Sequence, residues 1–349
     1  MKHKVTYIKN KKVIIFAKLY YDPFLKKVNY LHKNYHNTKN RFIATVWSAI
    51  PPALATVWWM LRITVIISFS VKILQYLGVV AWMSDMLSPM FQFMGLPGEA
   101  ALVFISAYFV NIYSAIAVIV TLNLNYRAIT ILAVMCLCAH NMFIETAIQK
   151  KTGSSAIRIV LLRTISAFVL AFILNLIIPE STTMAMSTAN APENTGLLAE
   201  LQIWGISTLR LVVKMFTLII LLNILQRLLN EFGIIKWIST LLSPVLKVFG
   251  LPEKTSFLWF VANILGLAYG GAIMIEENKQ KKINMEEADL LNHHIAISHS
   301  NLEDVILLAS VGASVLWMLI SRWIMAAIVV WLRKFEIIHF PGLLRKRKR

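Results

Sequence analysis

Asn292, His293, His294, His299, Ser300, Glu303 and Asp304 all lie within one apolar stretch, residues 285–309. On a continuous helix Asn292, His299 and Glu303 fall at i, i+7 and i+11. His293, Ser300 and Asp304 repeat that spacing one stripe over. A thinner set, His140, Asn141 and Glu145, stands in an earlier apolar stretch. A charged group at membrane depth costs about 3 kcal/mol unless it faces water, a cavity or a partner. Two kinds of chemistry are open to such groups. Imidazoles and carboxylates can bind a polar solute or carry protons near neutral pH. Alternatively they pair helices: Arg163 follows Glu145 by 18 residues, Arg322 follows Asp304 by the same distance, and buried charges need partners. His299 and Glu303 at i, i+4 could share an ion. No His-Glu-x-x-His is present, however, and the thinner set is short of ligands, so no metal centre is assigned. Ser300 beside His299 makes a poor nucleophile–base pair, since adjacent helical residues face different ways. The expectation is a protein that is not an enzyme and holds no cofactor.

The elements that position these groups are set by composition. Of 349 residues, 58% are hydrophobic and 15% are charged, against ~25% charged in soluble domains. A globule in water cannot hide that much apolar side chain. The chain therefore reads as an all-α integral membrane protein. A soluble nucleic-acid binder is excluded despite a net charge of +18. Apolar segments fall at about 43–77, 97–122, 125–148, 154–178, 200–229, 252–276, 285–309 and 311–332. Cys136 and Cys138 sit inside one of them and read as packing residues. No Gly-rich phosphate loop is present. Residues 1–41 lack the apolar core and cleavage site of a secretory signal.

The two halves repeat. Leu87-Ser88-Pro89 recurs as Leu242-Ser243-Pro244, and Gly95-Leu96-Pro97 as Gly250-Leu251-Pro252, both at offset 155. His140, Gly153 and Arg163 match His299, Gly312 and Arg322 at offset 159. Two constant offsets separated by one loop insertion point to a duplicated transporter-like scaffold.

Charge decides how the halves are disposed. If 97–122 and 252–276 are re-entrant hairpins, each half has three spans and the halves are inverted. Then 28 of the 35 Lys and Arg fall inside: eleven in 1–41, three in 149–158, four in 226–255, three in 277–284 and seven in 333–349. One, Arg127, falls outside, and six lie in spans. Eight straight spans would split the basic loops between the two sides, against the positive-inside rule. Gly266, Gly270 and Gly271 supply a tight turn in the second hairpin; Asn111 to Ser114 is its glycine-free counterpart. Residues 79–94 and 234–249 read as interfacial helices.

The order Leu-Ser-Pro, Gly-Leu-Pro, polar hairpin, His140-Asn141 with Glu145, then Lys-Thr-Gly resembles the Gate, or nucleoside-recognition, membrane domain, here as two tandem copies. Similar domains occur in nucleoside transporters, the ferrous-iron uptake protein and spore maturation proteins A and B. The resemblance implies hairpins around a central site. The organisation read from all this is a basic segment 1–41, a first repeat 42–178, an extracytoplasmic polar linker 179–199, a second repeat 200–332 and a basic tail 333–349. The expected fold is two inverted repeats, each of three transmembrane helices, one re-entrant helical hairpin and an interfacial helix. The expected function is secondary transport of a small, nucleoside-like or other solute; the alternative is a non-transporting assembly or maturation factor. Expected solute contacts are Asn111, Ser114, His140, Asn141, Glu145, Asn263, Gly270, Asn292, His299, Ser300, Glu303 and Asp304, with Arg163 and Arg322 as structural ion pairs. The expected partners are the lipid bilayer, a solute and a coupling proton or sodium ion, with a homo-oligomer left open and no nucleic acid. The expected location is the bacterial cytoplasmic membrane, both termini cytoplasmic.

Overall fold

The computed structural model of the chain describes residues 38–122, 124–179 and 197–339. The expectations for 1–37, for most of the 179–199 linker and for 340–349 lie outside the described residues. Among those described the chain is helical, with no strand. The helices are α1 Thr38–Tyr76, α2 Val79–Gln92, α3 Ala100–Phe109, α4 Ile112–Ile119, α5 Tyr126–Ala139, α6 Met142–Lys151 and α7 Ala156–Ile177. After the linker come α8 Leu197–Glu231, α9 Ile234–Leu241, α10 Ser243–Val248, α11 Ser256–Ile264, α12 Leu267–Lys279, α13 Met285–Ser298, α14 Glu303–Ala309 and α15 Val315–His339.

Among the described residues, four stretches are long and apolar enough to cross a bilayer: Tyr126–Lys151, Ala156–Ile177, Leu201–Glu231 and Val315–His339. Thr64–Tyr76 and Val79–Gln92 together make a fifth, bent by 89°. Along each helix the backbone polar groups are satisfied internally, as hydrocarbon demands; the break at His140-Asn141 inside the first stretch is the exception. The first of the four is 83% buried over its most apolar window, against 39%, 28% and 33% for the others. The α5–α6 stretch is therefore the centre. Helices α7, α8 and α15 turn Leu176, Leu209 and Leu316 outward, as a lipid-facing wall would.

The segment 285–309, read from the sequence as one continuous helix, is broken. It ends as α13 at Ser298 and resumes as α14 at Glu303. Ser300 there has φ 55°, a left-handed conformation. The equivalent position in the first half, Asn141, has φ 47° and separates α5 from α6. Each break exposes backbone groups that need partners, and the preceding hairpin supplies them. Asn141 N donates to the Ala107 carbonyl at 2.9 Å, and Ser300 N to the Ala262 carbonyl at 3.3 Å. The two acceptors differ by the offset 155 and the two donors by 159, so this is one contact made twice.

Segments 97–122 and 252–276 are helix pairs, not straight helices. Helix α3 folds back on α4, and α11 on α12. The second turn is Gly266, with φ 88° and ψ 163°, a combination that a Cβ disfavours. Its counterpart Asn111 is extended and instead caps α4 by accepting from Ser114 N at 2.9 Å. Across the second turn, a Cβ on Gly270 would meet the Ala262 Cβ at 2.9 Å. Glycine there lets the two arms touch.

The first helices of the two halves lie side by side. Arg41 Nε meets Glu231 Oε1 at 2.7 Å, Arg227 Nη1 donates to Ser48 Oγ at 3.0 Å, and Trp204 Nε1 donates to Ser68 Oγ at 2.8 Å. As one number rises the other falls, so α1 and α8 run antiparallel. Between the last helices, Arg158 in the first turn of α7 bonds Glu336 near the end of α15.

Candidate functional site

The two breaks, at His140-Asn141 and at His299-Ser300, meet in the middle of the molecule. The His140 and His299 rings are 5.0 Å apart, centroid to centroid. His140 Nε2 lies 3.3 Å from Asp304 Oδ2, and His299 Nε2 lies 3.1 Å from Glu145 Oε2. Adding 159 to 140 and 145 gives 299 and 304. The two contacts are therefore the same contact with the halves exchanged. Reciprocity of this kind, i to j and j to i, arises where two like units meet about a two-fold axis. The equivalent first helices, α1 and α8, run antiparallel beside this seam.

Each imidazole is held in one tautomer. His140 Nδ1 donates to the Cys136 carbonyl at 3.0 Å, and His299 Nδ1 to the Ile295 carbonyl at 2.7 Å. A carbonyl only accepts, so both Nδ1 atoms carry hydrogen and both Nε2 atoms point to the centre. His140 Nε2 also lies 3.2 Å from Glu145 Oε1. The Nε2 of His140, the Nε2 of His299 and a Glu145 carboxylate oxygen all fall within 4.8 Å of one another. All of these residues are buried.

Two fully buried arginines brace the breaks from behind. Arg163 Nε donates to the Cys138 carbonyl at 2.8 Å and its Nη2 to the His140 carbonyl at 2.7 Å. Arg322 Nη1 donates to the equivalent carbonyls of Ile297 and His299, at 3.3 and 3.1 Å. Each guanidinium thus replaces helix hydrogen bonds that the break removes. Beyond that the halves differ. Arg163 Nη2 lies 2.7 Å from Glu145 Oε2. The expected Asp304–Arg322 pair does not form: Asp304 meets His140, and Arg322 Nη2 donates to Asn301 Oδ1 at 2.5 Å. Asn301 has Met142 as its counterpart, so only the second arginine has a neutral partner within reach.

The other expected site residues lie in several separate places. Asn263 and Asn301 join the hairpin to the second break, Asn301 Nδ2 donating to Asn263 Oδ1 at 2.6 Å. Glu303 accepts from Tyr113 Oη in the opposite half and lies 3.4 Å from Gln226 Nε2. Asn111 and Ser114 are bonded to one another, at 3.0 Å from Ser114 Oγ to Asn111 Oδ1. Gly270 faces Ala262 and serves packing, not the centre. Asn292 lies elsewhere, donating to Thr152 Oγ1 at 2.9 Å and to Ser154 Oγ at 3.0 Å. The single stripe joining Asn292, His299 and Glu303 is thus broken by the turn at Ser300. His293 bonds back to the Asp289 carbonyl at 2.6 Å. His294 Nδ1 accepts from Trp259 Nε1 at 3.0 Å within an aromatic cluster with Phe249.

Sequence reasoning passed over Tyr113, Gln226 and Asn301. Tyr113 and Asn301 each sit within two residues of a position already singled out, Asn111 and Ser300. Gln226 lies in an apolar helix with no local signal.

Comparison with known proteins places the chain coarsely. It is 28% identical over 274 residues to the uncharacterized membrane protein YvoD of Bacillus subtilis (strain 168), covering 76% of this chain and 86% of the relative. No family model matches the chain, and no solved structure does. A membrane relative from a bacterium, four or five apolar helices and an otherwise helical fold agree: this is an all-α membrane protein of bacterial type, in contact with the lipid bilayer.

Proposed function

We propose that the chain is a secondary transporter for a small polar solute, built as two inverted repeats in the cytoplasmic membrane with both termini cytoplasmic. In this reading each repeat has three transmembrane helices, a re-entrant hairpin and an interfacial helix, as in the Gate-like domains it resembles. The observation that carries the proposal is the reciprocal pair of contacts, His140 with Asp304 and His299 with Glu145. These groups sit at helix breaks on the seam between the halves, where inverted-repeat transporters hold their cargo. Rocking one half against the other would separate each imidazole from the opposite carboxylate. Solute or coupling-ion release would follow from the same motion. The antiparallel course of α1 and α8 supports the inversion. The positive-inside distribution of Lys and Arg supports both cytoplasmic termini.

A thermal-unfolding screen of the purified protein against nucleosides, amino acids, organic ions and metal ions tests this reading. One ligand class should raise the melting temperature, and the shift should disappear in Asp304→Asn. If no ligand shifts the wild type and a second protein co-purifies in fixed ratio, an assembly role replaces transport.

A further inference from the structure

We propose that the central cluster binds one first-row divalent transition-metal ion, held by His140 Nε2, His299 Nε2 and the Glu145 carboxylate, with Asp304 beside His140 as a fourth donor. This names the solute class of the site described above and rests on that site being central. It does not require that transport occur.

Because both Nδ1 atoms donate to backbone carbonyls, neutral His140 and His299 each present a lone pair at Nε2. Those lone pairs face carboxylate oxygens: Glu145 Oε1 at 3.2 Å and Asp304 Oδ2 at 3.3 Å from His140, and Glu145 Oε2 at 3.1 Å from His299. Five acceptor atoms thus converge in a buried space. Such a set requires positive charge at its centre. Arg163 covers part of one edge, through an Nη2 already donating to the His140 carbonyl. His299 Nε2 is fully buried and makes no hydrogen bond despite its proximity to Glu145.

Protons and a metal ion are the two ways to supply that charge, and geometry favours the metal. Bonds of roughly 2.0–2.2 Å to nitrogen and oxygen, at tetrahedral angles, put neighbouring ligand atoms roughly 3.3–3.6 Å apart. The observed imidazole–carboxylate separations are 3.1–3.3 Å, and the His140, Glu145 and His299 donors lie within 4.8 Å of one another, so closing on an ion requires only side-chain shifts. Metal-bound histidines also use one ring nitrogen for the ion and donate the other to a carbonyl or carboxylate. Both imidazoles already have that arrangement. Two imidazoles with carboxylates suit zinc, iron, cobalt or manganese more than calcium or magnesium, which take oxygen donors. The ligands come from both halves, so the ion would be held across the moving seam.

The test uses the full-length, tag-free protein, stripped with chelator and titrated with Co2+ and Zn2+. We expect one ion per chain, cobalt d–d bands between about 500 and 650 nm as for a low-coordinate nitrogen–oxygen site, and Zn2+ displacing Co2+. His299→Gln and Glu145→Gln should each weaken binding at least tenfold, while His294→Gln, which alters a histidine of the aromatic cluster, should leave it unchanged. Should those variants fail to fold, pulsed electron spin resonance of wild-type protein loaded with Cu2+ must still show two imidazole nitrogens. The absence of saturable binding overturns the proposal. So does binding that survives both substitutions, or a signal from fewer than two imidazoles. Proteoliposome flux separates the two claims. Metal binding without flux leaves the metal site standing and removes transport. Flux of another solute by a protein that binds no metal does the reverse.

Discussion

Arg163 and Arg322 occupy equivalent places, yet only Arg163 meets a carboxylate, Glu145, at 2.7 Å. A double-mutant cycle should expose that difference. Replacing Arg163 with Met strips Glu145 of a fully buried cation and leaves the Cys138 and His140 carbonyls without donors. Removing one partner of a buried pair costs about 3–5 kcal/mol. With Glu145→Gln already present no carboxylate is stranded, and the same substitution costs only the loss at the carbonyls, about 1–3 kcal/mol. The coupling between Arg163→Met and Glu145→Gln is therefore about 2 kcal/mol, inside the range for residues in contact. Arg322 bonds Asn301 and carbonyls instead, so Arg322→Met and Asp304→Asn should couple by less than the Arg163 pair does. Reversible unfolding in mixed micelles, followed by tryptophan fluorescence, gives both cycles. Equal couplings, or a larger one for the Arg322 pair, would refute the asymmetry and the placement of Asn301.

Three further outcomes follow from packing and charge placement. Gly270→Val should force the α11–α12 arms apart and cost about 1–3 kcal/mol by overpacking against Ala262, whereas Gly205→Ala on α8, where a Cβ meets nothing within 4 Å, should change the melting temperature little. Cys136 and Cys138 are free and wholly buried, so a maleimide should label neither until the protein is unfolded in detergent; labelling in the native state would place α5 at the surface. Asp289 accepts from Ser154 at 2.6 Å and from Arg333 at 2.8 Å, so Asp289→Ala should remove a buried partner from Arg333, which keeps Glu336 at 2.7 Å, and lower stability by about 1–3 kcal/mol, read by the same unfolding assay.

Much of this arrangement was legible in the sequence, because register is a property of sequence. The offsets 155 and 159 identified His140 with His299 and Arg163 with Arg322, and the helix pairs in 97–122 and 252–276 follow from the one-sided placement of Lys and Arg. The breaks at Asn141 and Ser300 were not legible. Neither carries glycine or proline, and a left-handed turn at such residues is held by partners distant in sequence, the Ala107 and Ala262 carbonyls. Assuming an unbroken helix put Glu303 on a stripe with Asn292 and His299, when the turn at Ser300 sends it to Tyr113 instead. The offsets also could not say that equivalent residues touch. That depends on how the halves pack, and it is why the donor set of His140, Glu145 and His299 was not found by searching for ligands within one helix.

The account's central claim is that His140, Glu145, His299 and Asp304 form the site of a transporter. Its most direct test is counterflow in proteoliposomes, using the ligand that stabilises the purified protein. Wild type should exchange labelled for unlabelled ligand across the membrane. Asp304→Asn and His299→Gln, shown to be folded by circular dichroism, should exchange it at least tenfold more slowly. A ligand that binds wild type without exchanging, or variants that exchange as fast as wild type, would contradict the account.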